Sequence, residues 1–248
     1  MAKVSLNKAG KDLYAAVQRA IEATAPGLIQ PGDCVLIKPN LVMPQAPDSS
    51  EITNPLLIEA VARYCLDSDA NRVIIGEGPG CINRKSQLKE CFVSSGVIEI
   101  AGRLGVDWVL FDDHGYRSFK DISDCTPAEF RVTEYAFSCD KIINLAALKT
   151  HYLTTVTLAM KNLKGFLKYE DKPLFHQPDI HRAIVELNKI IRPSFNIIDA
   201  THWKHGGGLL IAGTDIVAVD SAGCALMGID PSSIRMISLG ADRGLGEK

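Results

Sequence analysis

Short apolar runs of strand length alternate with stretches of helical spacing along almost the whole chain, and this alternation restricts the fold more than any other feature. The runs are Cys34–Ile37, Arg72–Ile75, Trp108–Phe111, Lys141–Leu145 and Phe195–Ile198, with a further short one at Leu209–Ala212. Helical patterns lie between them: Asp12–Thr24, a helix opening at Thr53-Asn54-Pro55, one or two helices within Lys85–Gly102, Asp179–Ile191 and Asp215–Met227, with a last one from Ser232. Strands that are apolar throughout are buried on both faces, as parallel strands joined by crossover helices are. The sequence therefore predicts an α/β fold: a doubly wound, mainly parallel sheet with helices on both faces, in a single domain over 1–248. Tyr116–Glu129 reads as polar and irregular and Phe130–Tyr135 as an edge or hairpin strand, which leaves room for a small lobe around 112–138.

Composition excludes several classes. Of 248 residues, 46% are hydrophobic and 23% charged, the mixture of a soluble globular protein with a sizeable core. A formal net charge of −2 argues against nucleic-acid binding. No apolar run reaches transmembrane length and the start, MAKVSLNKAG, lacks a signal-peptide core, so the expectation is a cytoplasmic protein with no membrane partner. The seven cysteines are widely spaced without a C-x-x-C pair, so no iron–sulfur cluster motif or zinc ribbon is present. They read as small core residues, with Cys81, in a glycine-rich turn after a strand, the candidate for a reactive thiol. A homo-oligomer remains compatible with all of this.

Against the acidic balance, Lys141–Tyr169 contains five lysines and one histidine and no Asp or Glu. Lys141–Leu145 is a strand, Lys149-Thr150-His151 a polar loop at its carboxyl end, and from Thr154 onward the spacing predicts a helix. Val156, Ala159, Met160, Leu163, Phe166 and Leu167 would share its buried face, with Lys161, Lys164 and Lys168 roughly opposite. Ligands of open α/β sheets bind at strand carboxyl ends. Basic side chains converging there suit an anionic group; a solvated lysine face is the plainer alternative.

Other strand ends carry candidates of their own. Pro39 stops the strand at Lys38 and displays Lys38 and Asn40, ahead of a long loop over Leu41–Ile52. Gly76-Glu77-Gly78-Pro79-Gly80 could bring backbone N–H groups to a phosphate, but Glu77 would repel one, and G-x-G-x-x-G is absent; Glu77 orienting a lysine or binding a metal is the competing reading. His176 sits in the loop over 169–178. Asp199 ends a strand, and with His202 and His205 in the following glycine-rich loop it forms a candidate divalent-metal set, against ordinary polar loop residues.

Taken in order, Val35-Leu36-Ile37-Lys38-Pro39-Asn40-Leu41, Asn144 through Lys149-Thr150-His151, Lys161-Asn162-Leu163-Lys164-Gly165, Ile197-Ile198-Asp199-Ala200, Asp215-Ile216-Val217-Ala218-Val219-Asp220 and Met227-Gly228 resemble the motifs of the domain of unknown function 362 (DUF362) family. The resemblance implies a cytoplasmic α/β protein with no settled activity, and one site containing Lys38, Asn40, Lys149, His151, Lys161 and Asn162. Many relatives carry a ferredoxin-like iron–sulfur segment; this sequence departs from them in having no such segment.

The function expected from these residues is an enzyme, of lyase, transferase or isomerase type, acting on a small carboxylate or phosphate. Lys149, His151 and Lys161 are the catalytic candidates, His151 as general acid–base because an ordinary histidine titrates near neutrality. Lys38, Asn40, Glu77, Asn162, Lys164 and His176 would bind the ligand. The alternatives are a metal protein using Asp199, His202 and His205, or a non-catalytic binding or assembly protein.

Overall fold

The computed structural model describes residues 1–80, 84–177, 179–203 and 207–248. Among the described residues the chain forms β1 (Val4–Lys8), α1 (Leu13–Thr24), β2 (Cys34–Lys38), α2 (Pro55–Asp67), β3 (Arg72–Glu77), α3 (Leu88–Ser94), α4 (Val97–Leu104), β4 (Asp107–Leu110), β5 (Tyr116–Lys120) and β6 (Glu129–Thr133). It continues with α5 (Tyr135–Ser138), β7 (Lys141–Ala147), β8 (Lys149–His151), β9 (Thr155–Thr157), α6 (Ala159–Asn162), α7 (Ile180–Ile190), β10 (Phe195–Ala200), β11 (Leu209–Gly213), α8 (Ile216–Leu226) and α9 (Arg235–Asp242).

Seven strands make one sheet in the order β1-β11-β10-β7-β2-β3-β4. β10, β7, β2, β3 and β4 are mutually parallel, and β11 runs antiparallel between β10 and β1. From β2 the chain winds outward through β3 to β4, then returns to lay β7 on the other side of β2 and winds outward again to β10. The carboxyl ends of β2 and β7 therefore flank a topological switch point, where such sheets open a crevice.

Strand alternation splits the core in two. Val35 and Ile37 face α1, α2, α3 and α4, while Leu36 faces the side covered by α6, α7, α8 and α9. The predicted doubly wound sheet with helices on both faces is the observed fold. Aspartates and an asparagine fix several helix starts: Asp12 accepts from Ala15 N, Asn54 from Leu56 N ahead of Pro55, and Asp215 from Val217 N and Ala218 N. Among the described residues no helix is long and apolar enough to cross a membrane.

Some expectations are corrected, and one strand is added. Tyr116–Glu129 is not wholly irregular: β5 pairs antiparallel with β6, held by Phe119 stacked on Phe130 at 5.6 Å between ring centroids. β1 was not anticipated, because VSLNK is a half-exposed edge strand with little apolar content. Lys149-Thr150-His151, expected as a loop, is strand β8, and the helix expected from Thr154 is replaced by its hairpin partner β9, the single turn of α6 and a 3-10 turn over Leu163–Phe166. Thr154-Thr155-Val156-Thr157 is rich in β-branched residues, which favour the strand. The apolar set from Val156 to Leu167 is nonetheless fully buried, so helical spacing identified the inward residues but not the backbone carrying them.

So short a helix as α6 needs outside support. Asp220 on α8, completely buried, accepts from Ala159 N at 2.7 Å and Met160 N at 3.1 Å. Burial pushes its carboxyl up to about 7. Asp220→Ala orphans both buried N–H groups and should lower the unfolding free energy by about 2–4 kcal/mol. Asp220→Asn, which keeps one acceptor, should cost less; guanidinium unfolding curves of the two variants check the order.

Candidate functional site

The residues that end β2, β3, β7 and β10 share the carboxyl edge of the sheet. At its centre Lys38, completely buried, donates from Nζ to Glu77 Oε2 at 2.7 Å, to Pro39 O at 2.9 Å and to Asn162 Oδ1 at 3.3 Å. Three ammonium protons thus meet three acceptors. Burial draws the Lys38 pKa down and the Glu77 carboxylate opposes this. Glu77 also accepts from Leu41 N at 3.3 Å and Gly78 N at 2.9 Å. Gly165 closes over the pair: a Cβ there would meet Lys38 Nζ at 2.5 Å and collide with Glu77 Oε1.

Asn162 is the junction. Its Oδ1 accepts from Asn40 Nδ2 at 2.8 Å as well as from Lys38, and its Nδ2 donates to Asn144 Oδ1 at 2.8 Å. Asn144 passes the chain on to Asn196 Oδ1 at 3.0 Å, across β7 and β10. At the other end Asn40 Oδ1 accepts from Lys149 Nζ at 3.0 Å, and Lys149 also donates to Glu51 O at 2.6 Å. Burial lowers the pKa of Lys149, against the pull of Glu51 and Glu77.

Above this floor lies a cleft of about 250 Å³. Among the described residues its lysines are Lys149, Lys161, Lys164 and Lys172, and its carboxylates Glu51 and Glu77. His151 and His176 also line it. His151 Nδ1 accepts from Leu153 N at 3.1 Å and Thr154 N at 3.4 Å. The neutral ring therefore carries its proton on Nε2, the nitrogen on the opposite edge of the ring. Partial burial, then Lys161, Lys164, His176 and Lys149, push its pKa down to about 4. His176, 3.0 Å from Lys164 Nζ through Nε2, is likewise held down at about 4, by burial first and then Lys164 and Lys161. The general acid–base role expected of His151 rested on titration near neutrality, and these surroundings remove that premise.

The structure brings Asn40, Glu77, Lys149, His151, Lys161, Asn162, Lys164 and His176 to one cleft. Lys38, expected to touch the ligand, lies beneath its floor. Of the two roles open to Glu77, it takes the pairing with a lysine. The glycine-rich turn after β3 is not a phosphate cradle: Gly78 N donates to Glu77 Oε1, and Gly80 N to Val42 O at 3.0 Å. Its glycines serve close packing, since a Cβ on Gly78 would stand 2.5 Å from Gly165 O. Lys172, missed in the sequence, pins that turn by donating to Gly78 O at 2.7 Å and Pro79 O at 2.8 Å. It sits among 3-10 turns, where no periodicity marks it.

The metal candidates fare differently. Asp199 is buried and both oxygens are engaged, Oδ2 by Asn54 N at 2.7 Å and Oδ1 by Thr201 N and Oγ1 at 2.9 and 2.7 Å. It ties the start of α2 to the end of β10. His202 Nε2 lies 3.5 Å from Asn54 Nδ2. His205, like Cys81, is outside the described residues. Among the described residues no three His, Cys, Asp or Glu side chains are grouped to hold a metal ion.

This arrangement can be set beside known proteins. A thylakoid-associated protein of Synechocystis (strain PCC 6803) is 28% identical over 222 residues, which cover 83% of this chain and 66% of that relative. The apoprotein structure of lactate racemase from Thermoanaerobacterium thermosaccharolyticum superposes with a TM-score of 0.57 at 17% identity, over 86% of this chain and 54% of that one. The chain thus spans less than two thirds of either protein, and the likeness to the racemase is one of fold alone. The family described as "Domain of unknown function (DUF362)" matches residues 35–225, a span that takes in Lys38, Asn162 and the cleft lysines. The chain belongs to the DUF362 family.

Proposed function

We propose that the chain is an enzyme that binds a small carboxylate or phosphate in the switch-point cleft and acts on it by proton transfer. The observation that carries this reading is the charge of the cleft: even with Lys149 neutral, Lys161, Lys164 and Lys172 stand among the described lining residues against two carboxylates, of which Glu77 is paired with Lys38 and Glu51 lies 3.8 Å from Lys149. In such a partly buried site a positive lining is costly unless a ligand anion balances it. Lys161 and Lys164 would hold the anion.

His151 would act as a neutral donor. Its Nε2–H would stabilise an oxygen on which negative charge builds, as a preorganised donor does without having to reorganise. Lys149, whose pKa burial lowers, would take the proton from the adjacent carbon of a carboxylate. That is isomerase or lyase chemistry. Lactate racemase also acts, by its name, on a small carboxylate, but a fold likeness at 17% identity carries no substrate across, and the reading rests on the cleft.

A thermal-shift panel of small carboxylates and phosphates tests binding. A ligand at about a hundredfold its Kd should add about 2.7 kcal/mol of stability. The Lys161→Met/Lys164→Met double variant should lose that response while retaining its unliganded melting temperature; a panel that shifts neither protein would sink the binding claim. Proton abstraction is tested in deuterium oxide. Exchange at the carbon beside the carboxylate of a bound ligand should fall about a hundredfold in Lys149→Met, and similarly in His151→Phe with binding largely kept. A ligand that binds tightly and never exchanges would point to a non-catalytic binding protein.

The pH dependence has a definite sign. The two histidines are neutral in the empty cleft, and an anion beside them favours their protonated forms, raising both pKa values from about 4. Binding then takes up protons, so affinity should rise as pH falls from about 6.5 towards 4. Imidazole NMR titrations with and without ligand check this, and unchanged midpoints would contradict it.

A further inference from the structure

At the opposite end of β2 and β7 the thiols of Cys34 and Cys139 lie 3.4 Å apart. Cys34 opens β2, and Cys139 stands two residues before β7. Among the described residues these two are half-buried, whereas Cys65, Cys91, Cys125 and Cys224 are buried. Burial keeps those four thiols out of reach of an oxidant in solution. The segment between the pair and the strands is fixed: Asp140 N donates to Cys34 O at 2.9 Å, and Cys34 N to Asp140 Oδ2 at 2.8 Å. The two sulfurs thus face one another across backbone that is tied together, and a bond requires them to close from 3.4 Å to about 2.05 Å.

We propose that Cys34 and Cys139 are a redox-responsive pair that closes into a disulfide when the chain meets a disulfide oxidant such as oxidised glutathione. The Cys34 thiolate attacks one glutathione sulfur and expels the other half as a thiolate. The Cys139 sulfur then attacks Cys34 Sγ in the mixed disulfide and expels the second half, and its proton passes to solvent or to the departing thiolate. Two cysteine thiols are oxidised and one glutathione disulfide is reduced to two glutathiones. Cys139 is the resolving thiol, because burial and the neighbouring Cys34 hold its pKa up near 12. Arg72, whose charge favours the Cys139 thiolate, lowers that barrier.

The bond would join positions 105 residues apart in sequence. The enclosed segment carries β2, β3 and β4, one flank of the seven-stranded sheet, together with the separate β5–β6 hairpin, and the bond would fasten it to β7, the first strand of the other flank. Oxidation thereby restrains parting of the two flanks at the switch point without touching the cleft at the other end. The proposal is independent of what the cleft binds.

The test uses the full chain, fully reduced and then equilibrated with oxidised glutathione under native conditions. Expected are a loss of two hydrogens in the intact mass, a cross-linked peptide joining Cys34 to Cys139, and a melting temperature higher by about 5–10 °C that dithiothreitol reverses. Cys34→Ser and Cys139→Ala should each abolish the cross-link and the shift. Free thiols throughout, a stable mixed disulfide on either cysteine, or a cross-link to another cysteine would overturn the assignment. A correct cross-link with no rise in melting temperature would overturn the restraint.

Discussion

The ion pair between Lys38 and Glu77 is the contact on which the site depends. Both side chains are essentially removed from water, and a buried charge is tolerated only when its partner and its remaining hydrogen-bonding capacity are supplied. Here each is. Pro39 O and Asn162 Oδ1 complete the ammonium, and Leu41 N and Gly78 N complete the carboxylate. Removing one member would strand the other, at a cost of about 3–5 kcal/mol. The pair also sets geometry. It fixes the carboxyl ends of β2 and β3, obliges residue 165 to lack a side chain, and orients the amide of Asn162. Through that amide the orientation reaches Asn40, Lys149, Asn144 and Asn196.

With the floor fixed, the walls become electrostatically one-sided. Glu77 is consumed below, and the lysines of the β8 strand and of the α6 region line the cleft beside two histidines kept neutral by burial first and by these lysines after it. On the proposed reading, a site that is positive and partly dry takes an anion rather than a cation. The backbone amides donating to His151 Nδ1 leave Nε2 as the protonated nitrogen of the neutral ring, a detail that turns an expected base into a proposed donor.

Part of this was legible in the sequence. Lys38-Pro39-Asn40 announced itself because a proline cannot continue a central strand. The lysine-rich stretch stood out because it holds no acid in an otherwise acidic chain. Asn162 was drawn in by the family resemblance, and its role as a junction arises only when folding brings Lys38, Asn40 and Asn144 to it from distant parts of the sequence. The β8–β9 hairpin was concealed because Val156 falls at helical spacing from the buried residues that follow it, so a short strand read as the first turn of a helix. Lys172 and Glu51 reach the cleft from irregular segments where spacing carries no information. The depressed histidine pKa values depend on burial and on charges brought together only by folding. The nearness of Cys34 and Cys139 follows from β7 returning beside β2, a pairing that the sequence does not specify.

The measurement closest to the central claim is the location of an oxyanion in the protein. Crystals soaked in millimolar selenate, with data collected at the selenium edge, would give an anomalous peak wherever the protein holds such an ion. The account predicts a peak in the switch-point cleft, within hydrogen-bonding distance of His151 Nε2 and the ammonium groups of Lys161 or Lys164, and its loss in the double lysine variant. An empty cleft alongside well-occupied peaks elsewhere on the surface would contradict it.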